Sequence, residues 1–371
     1  MNGTPPRERV MKTFLNNSIR TLFSELIEFL MSLLGTQKEA GMSKYVRLGH
    51  GSNAIRYDLL SLESAMKTGG QGNVYFPDKK ICIKVLHNPD NFTDQLSNIS
   101  KIFVSPDRPY EKVRSVSAVP MDLIWEEKND KVIGYAMEQF SDWHSLNEIL
   151  TEYDSESIGM DLKSAGLLLA ELCKAVRLIH NEGFVIGDFN PSNVLFKLEP
   201  GKIRVKLIDV DSWSIYRKND LGIEYASRVL DKAIIYYPDV IQADRNGKPW
   251  PNFTPEHDWW AFACISWMVL TKYDPFMTGM ISNADREDRI LGKHTANSAA
   301  TVQLHPECGP VAQALGPKLR LYLDRCLKNI VKRPFPTMLL YEFANDLRSC
   351  SKCRFTAHSS AVICPRCAQL L

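Results

Sequence analysis

No apolar stretch of this 371-residue chain is long enough to cross a bilayer. The longest candidate, near Thr21–Leu34, is broken by Glu25 and Glu28, and the same charges leave the N-terminus without a secretory signal pattern. An excess of one charge is also lacking. Lys and Arg number 45 against 43 Asp and Glu, a net +2, so nothing global argues for a nucleic-acid partner. Scattered cysteines are few: Cys82, Cys173, Cys264, Cys308 and Cys326 stand singly and read as core or surface thiols. This usage fits a reducing compartment, and a cytoplasmic location is expected. With 44% apolar and 24% charged residues the chain is an ordinary globular one, large enough for two lobes and extensions.

What the chain does contain is a concentration of chemistry between His180 and Asp211. Two apolar strands, Val194–Phe196 and Val205–Ile208, flank a polar turn around Glu199-Pro200-Gly201, and Asp188, Asn193 and Asp209 sit at the mouth of that hairpin. Phosphoryl transfer needs such a set: one carboxylate to orient the attacking hydroxyl and accept its proton, an amide and a second carboxylate to hold magnesium. For any one of these residues a solvated turn is the plainer reading. The joint spacing, behind an amphipathic helix over Ser164–His180 that Gly183 terminates, argues against three coincidences.

Earlier in the chain, Lys67-Thr-Gly-Gly-Gln-Gly-Asn-Val-Tyr75 places glycines between two expected strands, where backbone amides can approach phosphates closely. An alternating strand, Ile81–Leu86, follows and carries one lysine, Lys84, whose plainer role is a solvent-side residue. Leu123–Trp125 and Val132–Phe140 read as two further strands joined by a polar turn. Before Tyr45 the chain is polar and then helical, with Leu22, Leu26, Leu30 and Leu33 on one side, either packed on its own domain or used for docking. At the other end, Cys350-Ser-Lys-Cys353 and Cys364-Pro-Arg-Cys367 have the spacing of a four-cysteine structural zinc ribbon. So short a segment folds only with its metal. A redox role is disfavoured because no thioredoxin-like βαβ pattern surrounds either pair.

The residues from roughly Tyr57 to Arg348 resemble the protein-kinase fold, with its motifs in order. Ile186-Gly187-Asp188 stands where the family has His-Arg-Asp, and Asp209-Val210-Asp211 where it has Asp-Phe-Gly. The resemblance implies that Gly69, Gly70, Gly72 and Val74 cover the nucleotide, with Lys67 in the first glycine position. It implies that Lys84 pairs the phosphates, that Met137 guards the back of the adenine pocket and that Glu138 opens the hinge. Asp188 would be the catalytic acid–base residue, and Asn193 and Asp209 the magnesium ligands. The helix glutamate that usually pairs with the lysine has no clear counterpart; Asp94 and Glu111 are the nearest acids. Asn190 replaces the lysine near the γ-phosphate. Asp258 would brace the catalytic loop, and Arg333 would pair with Asp239. Gly187 in place of the arginine removes the usual grip on a phosphorylated activation segment, so activity is expected not to require segment phosphorylation.

The expected architecture is therefore α+β: a helical extension over 1–44, an N-lobe over 45–140, a C-lobe over 141–348 and a zinc ribbon over 349–371. The wording around Asp188 and Asp209 is similar to that of divergent bacterial kinases encoded beside a von Willebrand A-type protein and a protein phosphatase in stress systems. This resemblance implies ATP, Mg2+ and Zn2+ as cofactors, a protein substrate phosphorylated on Ser or Thr, and those two protein classes as partners. Two alternatives stay open. One is a nucleotide-binding pseudokinase scaffold, favoured by the altered triplets. The other is a small-molecule phosphotransferase, disfavoured by the Asp258 helix and the Arg333 motif.

Overall fold

The computed structural model describes residues 45–104, 110–215, 237–276, 283–295, 312–328 and 334–371. The helical extension expected over 1–44, Cys308, most of the segment after Ile215 and Arg333 lie outside the described residues.

Seven strands make the N-terminal sheet: β1 (Tyr45–Leu48), β2 (Ile55–Asp58), β3 (Lys67–Thr68), β4 (Gly72–Tyr75), β5 (Ile81–Leu86), β6 (Asp122–Glu126) and β7 (Lys131–Glu138). Their order is β2-β1-β6-β7-β5-β4-β3, with every pairing antiparallel. β5 is central and is covered on both faces, so its alternation does not mean half-exposure. Ile83 and Val85 pack with Val46, Leu59 and Ile133, while Cys82 and Leu86 pack with Phe92, Leu96 and Tyr135. Lys84, whose plainer role was solvent-facing, is only 6% exposed. Helix α1 (Thr93–Ile99) lies against this second face through Leu96 and Ile99.

The C-terminal lobe is built on two helices. α2 (Leu162–Asn181) starts at Asp161, whose carboxylate accepts the Ser164 amide at 2.7 Å, and buries the stripe Ala165, Leu168, Leu172, Val176 and Ile179. It ends at a left-handed Gly183 (φ 91°), whose N–H reaches the His180 carbonyl at 3.0 Å. The short strand β8 (His144–Ser145) then pairs with a hairpin that follows β9 (Phe184–Val185): β10 (Val194–Glu199) and β11 (Lys202–Leu207). A further strand, β12 (Ser214–Ile215), pairs back onto β9. Beyond α3 (Pro238–Arg245), helix α4 (Pro255–Thr271) is apolar all round and buries three tryptophans: Trp259, Trp260 and Trp267. Such a helix belongs in the middle of a core, and α5 (Asn283–Leu291), α6 (Pro317–Leu327) and α7 (Thr337–Asn345) complete the shell. The two lobes are stitched where the Ala118 N–H donates to the Leu207 carbonyl at 2.8 Å.

The terminal segment forms a hairpin, β13 (Leu347–Ser349) with β14 (Thr356–His358), beginning two residues after α7 ends. It is packed onto the C-lobe. The His358 N–H donates to the Ala314 carbonyl at 2.9 Å, and the His358 ring stacks on Phe343.

Gly134 lies on β7 opposite Val85, where a Cβ would come within 2.0 Å of the Lys84 carbonyl oxygen. Gly134→Ala is therefore expected to push β5 and β7 apart, at a cost of about 1–3 kcal/mol. Denaturant unfolding of the two proteins measures it, and an unchanged midpoint would contradict this account of the central strand pair.

Candidate active site

Between the lobes lies a cleft of about 980 Å3. Its roof is the β3–β4 turn, where the Gly69 N–H donates to the Gly72 carbonyl at 2.9 Å and the His87 ring lies 3.1 Å from the Gly69 carbonyl. Gly72 has no room for a side chain, since a Cβ there would meet the Val85 carbonyl at 2.3 Å. The residues singled out from the sequence are brought together here: Gly69, Gly70, Gly72, Val74, Lys84, Met137, Glu138, Asp188, Asn193 and Asp209 all line the cleft. Cys82 also lines it, its thiol pushed up to about 12 by burial.

On the floor, Asp188 is held by two amides. Asn190 Nδ2 donates to its Oδ1 at 2.8 Å, and Asn193 Nδ2 donates to its Oδ2 at 3.2 Å and to its backbone oxygen at 3.0 Å. Asn190, at the position of the expected lysine, is turned into this network and buried. Asp209 adopts a left-handed backbone (φ 63°, ψ 48°), uncommon for a residue with a side chain and concentrated at functional sites.

Lys84 has two carboxylate partners. Its Nζ lies 2.8 Å from Asp211 Oδ2 and also donates to Asp209 Oδ1. Burial disfavours the ammonium, but the charges of Asp211 and Asp209 outweigh it and hold Lys84 well above its ordinary value. Asp211 is fully enclosed, which opposes ionisation, yet Lys84 keeps it below the ordinary carboxylate range. Burial and the neighbouring Asp211 charge push Asp209 up to about 7. Asp209 and Asp211 thus share the Lys84 ammonium, two carboxylates to one cation, an arrangement that favours an added cation.

The match to known families now decides the matter. The model of the protein kinase domain covers residues 111–337, more than half of the chain. The chain belongs to the protein kinase domain family. Among its relatives, serine/threonine-protein kinase MRCK gamma of Mus musculus is 27% identical over 135 residues, 36% of this chain and 8% of the relative. Citron rho-interacting kinase of Rattus norvegicus is 24% identical over 159 residues, 43% of this chain and 7% of the relative. A probable serine/threonine-protein kinase of Dictyostelium discoideum is 22% identical over 284 residues, 68% of this chain and 57% of the relative. The chain spans under a tenth of the length of the first two relatives.

The kinase domain departs from expectation at the partner of Lys84. Neither acid considered as a helix partner touches Lys84. Asp94 is exposed, Glu111 lies 3.9 Å from Arg114, and the partner that sequence reasoning missed is Asp211. Its signal was the second acid of Asp209-Val210-Asp211. The expected pairing of Arg333 with Asp239 is not tested, since Arg333 lies outside the described residues; Asp239 accepts the His257 Nε2–H at 2.9 Å. That hydrogen bond holds the carboxylate below its usual range against the effect of burial. Gly187, in the arginine position, is left-handed (φ 73°), a conformation that explains glycine there. Its carbonyl accepts the Tyr237 hydroxyl at 2.8 Å, and burial beside Asp258 keeps that phenol protonated.

Asp258, on α4, is wholly buried and braces the catalytic loop as expected. It accepts the Ile186 N–H at 2.8 Å, the Gly187 N–H at 3.1 Å and His180 Nε2 at 2.8 Å. Asp258→Ala would leave these donors buried without an acceptor, at about 1–3 kcal/mol each. The expected result is a lower melting temperature together with loss of the Asp188 geometry. A variant that melts like wild type would contradict this role.

Proposed function

We propose that this protein kinase transfers the γ-phosphate of ATP, with magnesium, to Ser or Thr hydroxyls of a protein substrate. The observation that carries the reading is the convergence of Asp188, Asn193, Asp209 and Lys84 in one cleft beneath a glycine turn. Asp188 orients the acceptor hydroxyl and takes its proton, its carboxylate aimed by Asn190 and Asn193. Lys84 pairs the α- and β-phosphates, and the amides of the Gly69–Gly72 turn lie over the triphosphate. Met137 backs the adenine and Glu138 starts the hinge. Asn193 and Asp209 are the residues that would hold magnesium. The surplus of carboxylates over ammonium suits a divalent ion, which neutralises charge on the phosphates when bound.

The relatives named as serine/threonine kinases favour Ser or Thr as acceptor. Nucleotide binding without turnover is the second reading, favoured by Asn190, which brings no cation to the γ-phosphate. Incubation with magnesium and labelled ATP, with and without a generic protein substrate, separates the two. We place the protein in a reducing cytoplasm. The first partners to test are a von Willebrand A-type protein and a protein phosphatase, as the resemblance implies.

For the ribbon, the reading is structural zinc. The Sγ atoms of Cys350, Cys353, Cys364 and Cys367 all lie within 4.8 Å of one another, at 3.6 Å for Cys350–Cys367 and 3.5 Å for Cys353–Cys364. No two are bonded as a disulfide. Four thiolates at about 2.3 Å from a tetrahedral ion stand about 3.8 Å apart, so the set fits. The sulfurs act on one another: the backbone amides of Cys353 and Lys352 draw the Cys350 thiol down to about 6, while burial and the neighbouring sulfurs push Cys353 up to about 12.

Two outcomes are expected. Asp188→Asn lowers kcat about 10²–10⁴-fold with ATP affinity nearly unchanged, whereas Asp209→Ala weakens magnesium–ATP binding itself. Equal loss of binding in both would refute this division of roles. Elemental analysis should find one zinc per chain, and Cys353→Ser should remove it and unfold the ribbon while the lobes keep their cooperative transition. Protein purified without zinc would end the ribbon reading.

A further inference from the structure

A lysine buried in the roof of a kinase cleft needs a permanent counter-ion, because an unpaired buried ammonium is strongly disfavoured. The helix that follows β5 provides none. Its one acid in the first turn, Asp94, is exposed, and the residue it turns toward the cleft triplet is Gln95, whose amide donates to the backbone oxygen of Asp211. The two carboxylates that do reach Lys84 differ in setting. The Asp209 side chain is 31% exposed and lines the cleft, whereas Asp211 is 2% exposed and does not. One is open to whatever enters the cleft, and the other is sealed against the lysine.

We propose that Asp211 is the positioning residue for Lys84, taking over from within the Asp209-Val210-Asp211 triplet the role that a helix acid would otherwise fill. With Asp211 as the fixed partner, Asp209 can turn to a metal without leaving Lys84 uncompensated. The lysine is then set by a segment already tied to the catalytic loop, where the Ser212 hydroxyl donates to the Ile186 carbonyl at 3.1 Å. α1 reaches the triplet through Gln95, which binds the Asp211 backbone oxygen and not its carboxylate, so the helix itself supplies no charge to the pair. This inference rests on the phosphoryl-transfer reading of the cleft.

The test is a double-mutant cycle on the full chain: wild type, Lys84→Ala, Asp211→Asn and the double variant, each read by ATP affinity in calorimetry with and without magnesium, and by melting temperature. The expected result is a loss of about tenfold or more in affinity for either single variant, with the double variant no worse than Lys84→Ala alone. The deficit of Asp211→Asn should persist without magnesium. Additive losses, or a deficit seen only with magnesium, would make Asp211 a metal-side residue and overturn the proposal. An unchanged affinity would overturn it too. If Asp211→Asn does not fold, the double variant decides: recovery on removing the stranded lysine supports the pair, and failure of both makes Asp211 merely structural. Because the cycle reads binding and stability, it stands even where wild type transfers no phosphate, an outcome that would sink the reading above and not this one.

Discussion

The catalytic loop hangs from one carboxylate. Asp258 is buried at the start of a helix that is itself buried on every side, and it accepts two successive backbone amides of the loop and the imidazole of His180. The amides are in place only because Gly187 bends left-handed, and Tyr237 clamps the same residue from its carbonyl side. A buried acceptor of this kind is costly to desolvate, and its three donors offset that cost only together. The geometry of Asp188 is thus inherited from the core of the lobe.

Above this floor the governing quantity is charge. Lys84 is divided between a sealed acid, Asp211, and one that faces the cavity, Asp209. The left-handed backbone at Asp209 is what turns two acids one residue apart toward the same ammonium. A cation arriving with phosphates would offset this excess of negative charge.

Much of the fold was legible in the sequence, for identifiable reasons. The periodicity of α2, its Asp161 cap and Gly183 stop, and the Glu199-Pro200-Gly201 turn are local signals, and the structure follows them. The cleft residues were singled out because they match the kinase motifs in order, and they line one cavity. What could not be read was tertiary. Alternation along β5 alone made a solvent-side Lys84 the plainer reading, because it says nothing about a helix lying on the strand's second face. Asp211 was passed over because its role depends on the chain reversing at Asp209, and that dihedral leaves no mark in composition. The pairing of Asp239 with His257 depends on how α4 begins, where His257 also caps Thr254.

The ribbon joins α7 with a single residue, Asp346, between the end of the helix at Asn345 and the start of β13 at Leu347. The Ser359 N–H reaches back to the Asp346 carbonyl at 2.9 Å, so even that residue is pinned. A module mounted this way cannot roam on a tether. Its seat on the lobe is fixed at two points, the Asp346 junction and the His358–Ala314 bond, as a bracket is fixed by two bolts.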